Sequence, residues 1–176
     1  MNKIETFIND LIILKPEIYH DERGYFFERY NKRKLSEIFI SSEFVQDNES
    51  SSSYGVLRGL HYQEKPFDQS KLITCLKGEV LDVVVDLREE SSTYLKHFSI
   101  KLSEKNKYQL YIPKGFAHGF IVLSKEAIFS YKVDNYYSPD HEKGIRWDDP
   151  SLDIDWILPK NKIIISNKDQ QLPRLL

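Results

Sequence analysis

The chain has 176 residues, and its 40% hydrophobic content is enough for one sizeable core and too high for a disordered chain. Lys and Arg number 25 against 27 Asp and Glu, so the net charge is −2 and leaves no basic surplus for binding DNA or RNA. The one cysteine, Cys75, excludes an intrachain disulfide and a cysteine-based zinc site, and no apolar run approaches the roughly 18 residues that cross a bilayer. Residues 1–10 carry acids and amides where a signal peptide would be basic and then apolar. We therefore expect one cytoplasmic domain, residues 1–176, that binds neither nucleic acid nor membrane.

The first predicted element is a short helix over residues 31–39. Within it, Leu35, Ile38 and Phe39 fall on one stripe at helical spacing. The charged run at residues 32–34 (KRK) is typical of a solvated helix face.

Residues 49–53 (ESSSS) come next and predict a hydrated loop. The apolar segment 56–63 that follows predicts a strand, and it carries Arg58 and His61. In a regular strand these two side chains point to opposite faces of the sheet. If both serve one pocket, the strand must bulge, and Gly59 is the natural place for the bulge.

Later segments alternate between apolar and polar residues with period two, and turn residues separate them. Short helical turns are expected after Ser138 and Ser166. Several short strands at this spacing predict an all-β sandwich or barrel with a few short flanking helices. The alternating segments are residues 80–88, 97–103, 107–112 and 126–134.

Residues 113–118 (PKGFAH) have the spacing of the second cupin motif, in which the histidine is a metal ligand. The partner motif of a metal-binding cupin offers two histidines, whereas residues 61–63 (HYQ) offer one. One histidine from each motif is too few for a first-row metal, so we expect no metal site. Cys75 lies in an apolar run and is expected to be a packed thiol.

Seven blocks of sequence, in order and with family-like spacing, resemble the dTDP-4-dehydrorhamnose 3,5-epimerases, the enzymes that act third in making dTDP-L-rhamnose. The resemblance runs from about residue 10 to residue 173. The blocks are residues 21–28 (DERGYFFE), 46–48 (QDN), 57–61 (LRGLH), 113–120 (PKGFAHGF), 131–132 (YK), 135–139 (NYYSP) and 168–169 (KD).

This resemblance implies a cupin (jelly-roll) β-barrel that uses no cofactor and no metal and works as a homodimer. It implies inversion of C3 and C5 of dTDP-4-dehydro-6-deoxy-D-glucose, giving dTDP-4-dehydro-L-rhamnose. We expect the N-terminal strands to pair across the dimer, since exposed edge strands invite pairing.

The resemblance also assigns roles to residues. It makes His61 the general base and Tyr131 the opposing acid, puts Asp169 behind His61, and puts Lys71 near the ketone oxygen of the sugar. Phe26, Phe27 and Tyr137 are the candidates for stacking on thymine. The residues implied to contact the nucleotide and diphosphate are Arg23, Glu28, Gln46, Asn48, Arg58, His118, Glu142 and Lys168.

The chemistry gives independent reasons for these residue types. Inverting a carbon next to a ketone requires a base with a pKa near the working pH, which favours histidine, and a carboxylate can fix its tautomer. The enolate oxygen needs a cation, and the opposite face of the ring needs a second acid. Three alternatives remain: an epimerase that inverts one carbon of a related keto sugar, a metal-dependent cupin oxygenase, and a sugar-binding cupin without catalysis.

Overall fold

The computed structural model describes residues 1–175, and most of its regular structure is β-strand. Within these residues there are fourteen strands and two short α-helices, and single turns of 3-10 helix span Pro139–His141 and Lys160–Lys162. The strands are β1 (Asn2–Glu5), β2 (Ile12–Lys15), β3 (Tyr19–Asp21), β4 (Gly24–Phe26), β5 (Gln46–Ser53), β6 (Val56–Gln63), β7 (Lys71–Lys77), β8 (Glu79–Asp86), β9 (His97–Ser103), β10 (Gln109–Ile112), β11 (Phe116–Val122), β12 (Glu126–Val133), β13 (Glu142–Gly144) and β14 (Ile164–Ile165). The helices are α1 (Lys32–Glu37) and α2 (Asn167–Gln170).

Two sheets form the body of the molecule. The first has the order β1-β2-β10-β7-β12-β5, and the second has the order β13-β6-β11-β8-β9, with β14 added in parallel beside β6. Strands β3 and β4 form a separate hairpin. Consecutive strands often lie in different sheets, which is typical of a jelly roll. The prediction of an all-β cupin-type architecture is confirmed.

The main core lies between the two sheets. Ile73 and Phe129 from the first sheet and Val84 and Phe120 from the second belong to one buried cluster. A second cluster covers the outer face of the second sheet, where Trp156 and other residues of the C-terminal segment pack. The second sheet is therefore buried on both faces, and this explains why its central strands are apolar in both alternating rows.

Strand β8 shows how this double burial affects the sequence. Its wholly apolar row, which includes Leu81 and Val83, faces the outer cluster. Its mixed row faces the inner cluster through Val80 and Val84, and it carries Asp82 into the interior with no exposed surface. A charged residue in the inner row of a central strand lowers the stability of the fold unless the charge is paired and hydrogen-bonded.

The predicted helix and turns are confirmed apart from one residue. Asn31 caps α1 by accepting a hydrogen bond from the backbone N–H of Lys34, and Leu35 is buried. Phe39 was expected on the buried stripe, and this prediction is wrong, because α1 ends at Glu37 and Phe39 is 89% exposed. Its φ of +68° turns the chain out of the helix before the stripe can continue. Within residues 1–175, no helix has the length and apolar character needed to span a membrane.

The loop predicted for residues 49–53 is also wrong. These residues belong to strand β5, which pairs along its whole length with β12. Ser50 and Ser52 lie on the less exposed row, opposite Phe129 and Ala127. Both rows of β5 are polar, and Ser50 of the less exposed row lines a cavity, so period-two hydrophobicity is absent from the sequence.

Candidate active site

A cavity of about 340 Å³ lies between the two sheets. Strands of both sheets contribute to its wall, and the C-terminal segment around α2 closes one side. Eight of the twelve residues that the resemblance assigned to the site line this cavity: Arg58, His61, Lys71, His118, Tyr131, Glu142, Lys168 and Asp169.

A bulge in β6 brings Arg58 and His61 into the same cavity. His61 is opposite His118 of β11, and Arg58 is opposite Phe120. The two positions are three residues apart in β6 but only two apart in β11, so β6 has one extra residue between them. Gly59 has a φ of +124°, and a Cβ there would lie 2.5 Å from the Cα of Gly119. Glycine is thus required at this point by both conformation and space. The predicted bulge at Gly59 is confirmed.

His61 and Asp169 form a hydrogen-bonded pair across the chain. The Nε2 atom of His61 lies 2.8 Å from Oδ1 of Asp169, and the N–H of Gly59 donates to Oδ2 at 3.2 Å. Ser166 caps α2 by accepting from the N–H of Asp169, which fixes the position of the carboxylate. Burial would raise the pKa of Asp169, but the hydrogen bond and charge of His61, the Gly59 N–H and the Ser166 side chain outweigh burial and lower it. The ionised carboxylate only accepts, so Nε2 of His61 carries the proton and Nδ1 holds the free lone pair.

Tyr131 reaches the cavity from the first sheet, whereas His61 reaches it from the second. Tyr131 packs against the inner core beside Phe129 and is partly buried. Burial raises the pKa of its phenol, Glu142 raises it further, and Arg58 opposes them. The phenol is therefore protonated at neutral pH and can act as an acid.

Lys71 begins β7 and is 9% exposed within the cavity wall. Burial lowers the pKa of its ammonium to about 8, against the opposing effect of the charges on Asp82 and Glu142. Its Nζ donates to the backbone carbonyl of His61 at 3.5 Å, which is a weak contact. Because this hydrogen bond is weak, the ammonium of Lys71 is available to a bound ligand.

His118 lies in the floor of the cavity and is 8% exposed. Its Nε2 atom lies 2.8 Å from Oδ2 of Asp82, and its ring stacks near Phe129. Burial lowers the pKa of His118, although Asp82 opposes this effect. Among residues 1–175, no group of three His, Cys, Asp or Glu side chains is arranged to hold a metal ion.

The rim of the cavity carries a cluster of charged and aromatic groups. Glu142 accepts hydrogen bonds from Tyr137 Oη at 2.7 Å and from Lys168 Nζ at 2.5 Å. Burial would raise the pKa of Glu142, but these two hydrogen bonds outweigh it and lower the pKa. Arg58 donates from Nε to the Ser52 hydroxyl at 3.2 Å. The rim thus offers two cations and one aromatic ring to an anionic, ring-bearing ligand.

The remaining four assigned residues do not line the cavity. Asn48 shares the inward face of β5, since it pairs with Tyr131, and it accepts from the Gln46 amide at 2.8 Å. Arg23 is largely exposed on the β3–β4 hairpin, where it pairs with Asp21. Glu28 lies near the same hairpin and is bonded to Asn31 and Lys34. Gln46 and Asn48 therefore adjoin the site, whereas Arg23 and Glu28 lie away from it.

Sequence reasoning missed two glutamines that line the cavity. Gln63 accepts from the N–H of Ser138 at 2.7 Å and donates to the carbonyl of Tyr136 at 3.2 Å, and Gln69 donates to the carbonyl of Asn135 at 2.8 Å. Together they hold the loop that carries Tyr137. Alternation along β6 puts Gln63 on the face of His61, and this pattern could have identified it.

Comparison with known proteins agrees with this site. A family model described as dTDP-4-dehydrorhamnose 3,5-epimerase matches residues 5–176. The enzyme of that name from Shigella flexneri is 51% identical over 96% of this chain and 93% of its own length. The crystal structure of that enzyme from Elizabethkingia anophelis has a TM-score of 0.96 at 50% identity and covers 99% of this chain and 96% of its own. A dTDP-6-deoxy-D-glucose-3,5-epimerase of Legionella pneumophila, solved in complex with dTDP-4-keto-L-rhamnose, has a TM-score of 0.91 at 46% identity and covers 99% and 98%. This chain belongs to the dTDP-4-dehydrorhamnose 3,5-epimerase family.

Proposed function

We propose that this chain is an isomerase that inverts C3 and C5 of dTDP-4-dehydro-6-deoxy-D-glucose, giving dTDP-4-dehydro-L-rhamnose. One observation carries the proposal: His61 and Tyr131 come from opposing sheets and line the same cavity, together with the buried cation of Lys71. A base, an acid and an electrostatic stabiliser are the three groups that inversion beside a ketone requires.

His61 removes the proton in this scheme. Its Nε2–H is bound by Asp169, so Nδ1 is the atom that accepts the proton from carbon. The imidazolium that forms is stabilised by the carboxylate behind it, which remains ionised. Because C3 and C5 flank the same ketone, one base can serve both carbons if the sugar ring shifts between the two steps.

Lys71 stabilises the intermediate. Removing a proton beside the C4 ketone puts negative charge on its oxygen, and the nearly buried ammonium of Lys71 can offset that charge. Loss of one such stabiliser typically raises the barrier by about 3 kcal/mol.

Tyr131 returns the proton from the opposite face. Its phenol is protonated at neutral pH because its pKa is raised by burial and by Glu142. Delivery from the face opposite His61 inverts the carbon, whereas return of the proton by His61 restores the original configuration.

The rim holds the nucleotide. Arg58 and Lys168 are suited to the diphosphate, and the exposed ring of Tyr137 is suited to stacking on thymine. The diphosphate is not cleaved, so its binding energy can be used to orient the sugar between His61 and Tyr131.

Arg23 and Glu28 enter this proposal through a homodimer. The hairpin that carries Arg23 and precedes Glu28 exposes aromatic surface in the single chain, with Phe26 69% exposed and Tyr25 56% exposed. Strand β1 is an edge strand with all four residues exposed, so it offers unpaired backbone groups to another chain. We propose that two copies associate along this side and that each hairpin completes the rim of the other copy's cavity.

The test is incubation with dTDP-4-dehydro-6-deoxyglucose in heavy water. We expect deuterium at both C3 and C5 of the product, and no exchange at either carbon with the His61→Ala variant. Deuterium at one carbon would assign the chain to epimerases that act at a single centre. If neither carbon exchanged with the unmodified enzyme, the proposed substrate would be wrong.

A further inference from the structure

Asp82 is an unusual residue in the inner core. It lies on the inward row of β8 between Val80 and Val84, and it has no exposed surface. Its Oδ2 atom is bonded to His118 at 2.8 Å. Within residues 1–175, its Oδ1 atom is buried and has no hydrogen-bond partner.

A half-satisfied carboxylate at this position opposes folding. Leaving a buried acceptor unpaired lowers the stability of the folded state, and more so when the group is charged. An apolar residue would continue the packing of Val80 and Val84, so stability alone does not explain an acid here. Burial raises the pKa of Asp82, while the charge and hydrogen bond of His118 and the charge of Lys71 oppose this effect, so these two neighbours favour its ionised form.

Those neighbours belong to the cavity. Asp82 holds the ring of His118, which lines the cavity floor, and its charge acts on the ammonium of Lys71. The groups that act on these two side chains come from several strands: Asp82 from β8, Glu142 from β13 and His61 from β6. Asp82 itself does not line the cavity.

We infer that Asp82 is a positioning residue that acts through Lys71 and His118. Its carboxylate keeps Lys71 charged inside the cavity, and it fixes the His118 ring with Nε2–H directed at Asp82. The substrate then meets a cation at Lys71 and a neutral histidine with a free Nδ1 acceptor. This inference rests on the proposed function, in which Lys71 stabilises the enolate.

The direction of the effect follows from the charges. Burial lowers the pKa of Lys71 to about 8, and the negative charge of Asp82 is the first of the effects that oppose burial. If activity requires the ammonium, kcat/KM falls as the pH rises through that pKa. Removing the charge of Asp82 lowers the pKa of Lys71 further, so this fall moves to lower pH.

The experiment compares the pH profiles of the Asp82→Asn variant and the unmodified enzyme. Asparagine keeps the size of the side chain, and its carbonyl can still accept from His118. We expect the alkaline fall in kcat/KM to move down by about one pH unit or more in this variant. A lower kcat/KM with the fall at its original pH would reduce Asp82 to a structural role and overturn the inference.

Two controls separate the possible failures. Asp86→Asn removes another fully buried charge from the same row of β8, but Asp86 is bonded to Arg88 and lies outside the cavity, so the fall should stay in place. Lys71→Arg keeps a cation at every working pH, so the alkaline fall due to Lys71 should disappear, and adding Asp82→Asn should then move nothing. An unmodified enzyme that exchanges neither C3 nor C5 in heavy water would refute the proposed function instead.

A measurement on the unmodified enzyme covers the case in which Asp82→Asn does not fold. Nitrogen NMR of the labelled protein at neutral pH should find Lys71 protonated and His118 neutral, with its proton on Nε2. A neutral Lys71, or a His118 proton on Nδ1, would contradict the inference.

Discussion

The hydrogen bond between His61 and Asp169 determines which nitrogen of the His61 ring is free. The 2.8 Å contact at Nε2 requires the carboxylate to be an acceptor, and the N–H of Gly59 and the cap at Ser166 keep it in place. Asp169 is therefore as important to the proposed base as the imidazole itself.

The Asp169→Asn variant should lose activity by a factor on the order of 10²–10⁴, because the amide can donate to Nε2 and thereby move the proton to Nδ1. The measurement is kcat for exchange and for product formation. Since the proposed dTDP site is at the rim, the affinity for dTDP should change little, and this serves as the control. A variant with near-normal kcat would show that the tautomer of His61 does not matter.

At this scale the sequence was informative where short blocks carry the chemistry. His61, Lys71, Tyr131 and Asp169 were predicted together, and they line one cavity. Asp82 was missed, because its row on β8 mixes apolar and acidic residues and nothing in the sequence shows which row faces the interior. The partner of a buried carboxylate is set by strand pairing, and one sequence does not encode this locally.

Among the elements, β6 determines the geometry of the site through its bulge. Gly59 has a φ of +124°, and an added Cβ would also lie 2.8 Å from the carbonyl oxygen of His118. Gly24 has the same φ of +124°, but among residues 1–175 no atom lies within 4 Å of its added Cβ. A side chain at Gly24 would therefore meet backbone strain alone, whereas one at Gly59 would meet backbone strain and a steric clash.

We expect Gly24→Ala to lower the free energy of unfolding by about 1 kcal/mol and Gly59→Ala to lower it by about 3 kcal/mol or more. Gly59→Ala should also abolish activity, because relief of the clash separates β6 from β11. Denaturant unfolding of both variants checks this. Equal losses of stability would mean that the bulge tolerates a side chain.

Prediction at the element scale succeeded where polarity alternates and failed where it does not. The segments 97–103 and 126–134 correspond closely to β9 and β12. Strand β5 was missed, because its less exposed residues are polar, among them Ser50 at the cavity, and its other row is exposed. Hydrophobic periodicity detects burial in apolar cores, and it does not detect a strand that lines a binding site.

For the whole molecule, the sequence indicates the all-β class through the number and spacing of its strands, but it does not indicate which surfaces meet in an assembly. The exposed hairpin and the open edge of β1 become visible only when the chain is folded. In the proposed dimer, the hairpin of one copy supplies Arg23 to the cavity of the other.

Mixing two inactive variants tests this arrangement. Chains with Arg23→Ala and chains with His61→Ala should each have low activity at limiting substrate. We expect Arg23→Ala to lower kcat/KM by about tenfold or more. A refolded equal mixture should recover about a quarter of normal activity, because half of the dimers are mixed and each has one complete site. If Arg23 serves its own chain, the mixture gains nothing.

The central claim is that His61 and Tyr131 act on opposite faces of one sugar ring. The most direct measurement is the Tyr131→Phe variant in heavy water, with deuterium content and configuration followed together. We predict that deuterium still enters at C3 and C5 with the original configuration retained, while formation of the L-sugar slows by about 10²-fold or more. Formation of the L-sugar at the normal rate would contradict the account.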